Sequence, residues 1–242
     1  MGKRIRVAFI APYYPLPICS GGHTRLANLV AGLVDSHEIY WLCLAEPDAD
    51  ARSRPIRSLA GPPRLVRTRA NRHWRDKLSD ALRPRHWQRT ASRALGMLAG
   101  LPLDVVRMRA PDLKRSLKDL LTTRRIDVVQ IEYGAMAAYL PVIRTASPRT
   151  KIVVDELEVT SIAIDRRMKS ESRSPRRMPR EANRWERFEK QVWKASDRVL
   201  AMSESEAAYL DRVAGPGKAR IVPNGVDIDF FRFRPADATV SS

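Results

Sequence analysis

In the stretch APYYPLPICSGGHTR, Gly21 and Gly22 are the first residues whose placement suggests chemistry. They stand between a buried-looking strand and the first helical pattern. With no side chains there, an anionic ligand can approach backbone N–H groups at a helix N-terminus, where the dipole favours negative charge. An ordinary glycine-rich strand-to-helix turn explains them equally well. The chain has no G-x-G-x-x-G and no Walker A lysine-serine pair, so neither a nicotinamide site nor a P-loop is indicated. Further along, Glu132-Tyr133-Gly134, Asp155-Glu156-Leu157-Glu158, Ser203 and Pro223-Asn224-Gly225 each follow an apolar run. Asp155, Glu156 and Glu158 offer a general base or hydrogen-bond partners for hydroxyl groups, or else a solvated acidic strand end. Ser203, with Glu206 three residues on, has the spacing of a capping box. His23, His37, His73 and His86 show no metal-ligand spacing, and no Cys pair supports them. No metal and no cofactor is expected.

These residues need a scaffold. The runs Ile5–Ala11, Ile39–Ala45, Asp127–Glu132, Lys151–Asp155, Arg198–Met202 and Ala219–Pro223 are short and rich in β-branched residues. Most lack strict alternation, the mark of strands covered on both faces. Leu26, Leu29, Val30, Leu33 and Val34 recur at helical spacing, and so do Leu113, Leu117, Leu120 and Leu121. Trp185, Phe188 and Val192 mark a third helix, and Ala207, Leu210 and Val213 a fourth. Strands alternating with helices predict an α/β fold, a Rossmann-like and mainly parallel sheet with helices on both faces. The carboxyl ends of such strands share one rim, where ligands gather. Every candidate above falls on it. One domain over 1–235 is expected, with an unstructured tail over 236–242.

Charge adds a second kind of information. The formal net charge is +17, yet residues 52–93 hold thirteen Lys/Arg against two acids and residues 166–180 hold seven against one. Those segments contain the whole excess, so two anion-facing regions sit on a neutral scaffold. Residues 46–93 break the strand–helix rhythm and read as a basic insertion. Trp74, Leu78 and Leu82 form one apolar stripe there, and Trp87, Ala91 and Leu95 another. Three readings stay open: a solvated surface, an anionic membrane surface met through Trp74, Arg75, Trp87 and Arg89, or nucleic acid, for which no motif is present. Two cysteines give no disulfide framework. The opening MGKRIRVAFIA imitates a signal peptide but meets Pro12, Pro15 and Pro17, so a first strand and a cytoplasmic chain are expected. No apolar stretch approaches the roughly 20 residues that span a bilayer.

Read in order, RVAFIAPYYPLPICSGGHTRLANLVAGL, IDVVQIEYGAMAAYLP, KIVVDELEVTSIAIDRR, RWERFEKQVWKASDRVLAMSESEAAYL and ARIVPNGVDIDFFRFRP resemble the N-terminal half of a family 4 GT-B glycosyltransferase. The resemblance covers nearly everything but residues 46–93 and the tail. It implies a retaining, nucleotide-sugar-dependent enzyme, with this half binding a lipid-linked or saccharide acceptor. Gly21 and Gly22 would then face the donor diphosphate. His23, Arg25, Glu132, Tyr133, Asp155, Glu156 and Glu158 would line the acceptor side, and Ser203, Asn224 and Gly225 the interdomain cleft. Relatives often carry a His after the strand that ends here at Asp155; Leu157 stands there and cannot move a proton. The donor half, with its Glu-x7-Glu pair, is not in this sequence. Glu38/Glu46 and Glu181/Glu189 have that spacing, but eleven Glu make such a match expected by chance. The implied chain is inactive alone, peripheral at the inner membrane face, and completed by a donor domain. Alternatives are an accessory acceptor-binding subunit paired with a donor-domain chain in trans, or a basic nucleic-acid-binding protein.

Overall fold

The computed structural model describes residues 4–16, 18, 20–45, 64–67, 91, 94–170 and 178–225. The insertion's Trp74, Arg75, Trp87 and Arg89, residues 171–177 of the basic 166–180 segment and the tail beyond Gly225 lie outside these residues. Strand β1 (Arg6–Ala11) is followed by helix α1 (Gly21–Leu33), β2 (Glu38–Ala45) and β3 (Arg64–Arg67). Then come α2 (Leu103–Met108), α3 (Pro111–Thr123), β4 (Val128–Glu132), a 3-10 helix over Gly134–Tyr139, α4 (Leu140–Ala146) and β5 (Lys151–Asp155). The described part closes with α5 (Thr160–Ser170), α6 (Met178–Ala195), β6 (Arg198–Ala201), α7 (Glu204–Ala214) and β7 (Ala219–Ile221). The seven strands lie in the order β3-β2-β1-β4-β5-β6-β7, every pair parallel. The α/β, Rossmann-like expectation therefore holds.

Side chains on successive strand positions point to opposite faces, so each strand feeds two cores. Val7, Phe9 and Ala11 join Ile39, Trp41 and Cys43 under Leu26 and Val30 of α1. Ala8, Ile10, Leu42 and Leu44 face the other side, where Leu113, Leu117, Leu120 and Leu121 of α3 pack with Trp185, Val192 and Trp193 of α6. Each of these buried leucines contributes about 1.5–3 kcal/mol of apolar burial. That double coverage is why the strands show no alternation in sequence.

Strand β3 lies within the basic insertion 46–93, at a place where the sequence pattern shows no strand. Its sequence RLVR is four residues, preceded by Pro62 and Pro63, too short for a period to register. It adds to the sheet edge by pairing with β2, a partner that local pattern cannot reveal. Elsewhere polar side chains tie corners to strands. Asp197 accepts from the backbone N–H of Ile152, from Arg144 and from Lys151. Burial pushes its carboxyl up, but these donors outweigh it and hold the pKa at about 2. The hydroxyl of Tyr139 donates to the Met108 carbonyl at 2.7 Å and accepts from the Ala110 N–H at 2.9 Å, joining α2 to α3.

Candidate functional site

The strand order reverses between β1 and β4, and in open parallel sheets the crevice at such a switch point receives the ligand. Tyr13 lies beyond the end of β1 and Tyr133 directly follows β4. Tyr133 has φ 66° and ψ 131°, a left-handed conformation that strains any residue with a Cβ. Its hydroxyl is hydrogen-bonded to that of Tyr13, and the pair closes over Gly22. A Cβ at Gly22 would run into both hydroxyls, so the glycine is required by close approach and not by a turn. The Tyr13 ring stacks on His23, with centroids 4.0 Å apart and planes 12° from parallel. His23 in turn bonds through Nδ1 to Ser20 Oγ at 2.7 Å.

Ser20 caps α1 by accepting from the His23 N–H, which places Gly21 and Gly22 inside the first turn. The sequence had suggested a turn before the helix; an N-cap serine starts it at Gly21, five residues before the leucine pattern begins at Leu26. The first amides of a helix have no intrahelical acceptor. No acidic residue occupies that turn, so its positive end is not neutralised from within α1. Gly21 is exposed and Gly22 half-buried, which leaves this end of the helix open at the rim.

The acids behave differently from what their positions suggested. Glu132 and Asp155 are 0% exposed and form a register pair across β4 and β5. Arg25, also buried, donates to both Asp155 oxygens, from Nε at 3.0 Å and Nη2 at 3.1 Å. Burial lifts the Asp155 carboxyl against the lowering effect of Arg25. Glu132 accepts from Gln130 at 2.7 Å, while its Oε2 is buried with no hydrogen-bond partner. Burial, reinforced by the Asp155 charge, raises its pKa well above the carboxylate range. Held neutral, that oxygen becomes a donor beside Asp155. Glu156 lies under Gly134, where a Cβ would sit 3.0 Å from both of its oxygens, and accepts from the Trp193 indole at 2.9 Å. Of the strand-end acids, only Glu158 is exposed.

Arg25, Glu132, Asp155 and Glu156 are thus packed beneath the rim and bonded there, whereas the resemblance would have them line an acceptor. The physical reason is orientation: the last residues of parallel strands share a rim, but the pleat turns alternate side chains into the layers beneath it. Asn224 and Gly225 are exposed, and Asn224 accepts from Arg25 Nη1 at 3.2 Å. Ser203 caps α7 by accepting from the Glu206 N–H at 3.3 Å. Glu206 reaches back to the Met202 N–H at 3.0 Å, one residue before the position a strict capping box uses.

The sequence reading did not single out Tyr13, Ser20, Gln130, Ser161 or Trp193. Ser20 had a visible signal, a cap-forming residue before the glycines; a lone tyrosine in a proline-rich loop carries none. The Glu-x7-Glu spacing of Glu181 and Glu189 has a structural explanation. Glu181 accepts from the Leu103 N–H at 2.5 Å. Glu189 accepts from the Thr160 and Ser161 N–H groups and the Ser161 hydroxyl, capping α5, which the preceding Val159 cannot do.

A groove of about 810 Å³ runs between α3 and α4, lined by Lys114, Lys118, Tyr139 and Val142 among others. No strand-end residue lines it, so it is separate from the rim. Among the described residues, no group of three or more His, Cys, Asp or Glu comes together to hold a metal.

The family described as Glycosyl transferase 4-like domain matches residues 20–225. No curated protein matches the chain by sequence. Among solved structures, sucrose-phosphate synthase from Thermosynechococcus elongatus is similar with a TM-score of 0.56 and 15% identity, over 94% of this chain and 50% of that one. A complex of Arabidopsis thaliana UGT89C1 with UDP gives a TM-score of 0.40 and 13% identity, over 93% of this chain and 51% of that one. The chain therefore spans about half the length of these solved proteins, and the likeness to the synthase bears on fold alone. With the match running from the Ser20 cap of α1 to Gly225 beyond β7, the chain belongs to the glycosyl transferase 4-like domain family.

Proposed function

We propose that this chain forms the acceptor-side wall of a retaining glycosyltransferase that uses a nucleotide-diphosphate sugar and a lipid-linked or saccharide acceptor. The observation that carries this reading is the acid-free first turn of α1 at the switch point, open at Gly21 and narrowed at Gly22 by two tyrosine hydroxyls. A diphosphate leaving group gains negative charge as the glycosidic bond breaks, and oriented amides at a helix N-terminus stabilise that charge. Tyr133 keeps its proton, since burial raises its pKa, so its hydroxyl can donate to an anion beside Gly22. Glu158 and Asn224 are exposed at the rim, where acceptor hydroxyls would meet them. The basic segments would hold the domain at an anionic membrane surface, on the cytoplasmic side, beside a lipid-linked acceptor. A closed donor site needs a second wall, so the 242-residue chain alone is not expected to turn over.

UDP, GDP or inorganic pyrophosphate, titrated to millimolar levels, is expected to slow amide exchange at residues 21–24. Gly22→Ala should abolish the response by forcing the two tyrosines off the turn. Release of UDP from UDP-sugars by the chain alone should stay at background. No change at that turn with any of the three anions would overturn the anion assignment, and measurable turnover would overturn the need for a second wall.

A further inference from the structure

Arg25 lies in α1, a short step beyond the glycine turn, and is 7% exposed. Its guanidinium joins three separate parts of the chain. Nε and Nη2 grip Asp155 at the end of β5, while Nη1 donates to the Pro223 carbonyl at 3.3 Å and to Asn224 Oδ1 at 3.2 Å. We infer that Arg25 is a positioning residue that fixes the direction in which the chain leaves β7 relative to the first turn of α1. This rests on reading the rim as one wall of a two-walled site, in which the segment after β7 leads towards the other wall.

The argument is geometric. A guanidinium is planar, with its donors in a rigid fork. Asp155 is fully buried and held in register in β5, so the bidentate pair sets the plane of that fork. Once the plane is set, Nη1 can point in only one direction, and it points at the exit segment. That segment has little else to hold it. Ile221, Pro223 and Asn224 are exposed, and the Val222 N–H donates to Ala201 at 2.9 Å as the last backbone bond of the sheet. Lysine could not replace this device, because a single ammonium cannot hold a planar bidentate pair and still aim a third donor. Arg25 itself is buried, so a ligand at the rim would meet the position that it gives to Asn224.

The test is amide exchange by mass spectrometry on the 242-residue chain, comparing wild type with Asn224→Ala and Arg25→Lys. Asn224→Ala leaves the buried Arg25–Asp155 pair intact, so its Tm should stay within about a degree of wild type. Exchange in the peptide covering 219–225 should nevertheless accelerate about tenfold, while β1 and β4 remain protected. Arg25→Lys should give the same local acceleration together with a lower Tm. If both Asn224→Ala and Arg25→Lys leave 219–225 at the wild-type rate, Arg25 serves the Asp155 pair alone and the inference fails. Acceleration spread over the whole domain would also overturn it. None of these readings involves a nucleotide, so the inference can fail without the proposed function failing, and the reverse.

Discussion

Replacing Arg25 with methionine should lower the unfolding free energy by about 3–5 kcal/mol, the usual cost of removing one partner from a buried ion pair. The reason lies less in the attraction lost than in what stays behind. Asp155 is 0% exposed and sits beside Glu132, itself 0% exposed, so without the guanidinium two carboxyls face each other in the sheet. One of them must then carry a proton, and the loss should grow as pH rises. Adding Asp155→Asn to Arg25→Met should recover a large part of the stability, since the stranded charge is gone. Chemical denaturation of the two single variants and the double variant measures this directly. If the double variant is destabilised by the sum of the single changes, the two residues do not form one unit.

The second large effect concerns Glu156. Burial, with the Glu189 charge next in weight, pushes its carboxyl up to about 8, and burial likewise raises Glu189 to about 6. Both folded-state values lie above the ordinary 4.5. Their contribution is therefore fully present below about pH 4.5 and is lost as pH rises, through about 6 for Glu189 and about 8 for Glu156. Between pH 5 and 8.5 the wild-type domain should lose stability on the order of several kcal/mol. Glu156→Gln keeps the acceptor for the Trp193 indole but carries no charge. Its stability should depend less on pH, with Glu189 and the raised carboxyls of Glu132 and Asp155 still titrating, and should exceed wild type at pH 8.5. Urea melts at pH 5, 7 and 8.5 would read this; parallel wild-type and variant curves would show that Glu156 does not titrate in this window.

Much of the scaffold was legible along the chain. The leucine spacing in α3 and the tryptophan–phenylalanine–valine spacing in α6 are local signals of helices with one buried face, and both helices bury those residues. β3 was not legible, because an edge strand of four residues is defined by its partner and not by its own period. The glycine turn was placed correctly at the rim but one element too early, since its cap, Ser20, starts the helix ahead of the apolar pattern. The strand-end acids were the least legible. Their types and positions were plain, yet Asp155 finds its partner 130 residues away in α1, and Glu156 finds Trp193 37 residues further on in α6.

The sequence by itself determined the class of sheet, the rim on which chemistry could occur and the family resemblance, because strand propensity, helical period and ordered motifs are short-range properties. Only the tertiary structure decided that Arg25, Glu132, Asp155 and Glu156 form a buried network while Gly21, Glu158 and Asn224 stay exposed. It alone brought Tyr13 and Tyr133 together over Gly22, at the point where the strand order turns back. Whether a polar side chain meets solvent or a partner depends on the pleat of its strand and on residues far away in the chain, and neither is written in its neighbours.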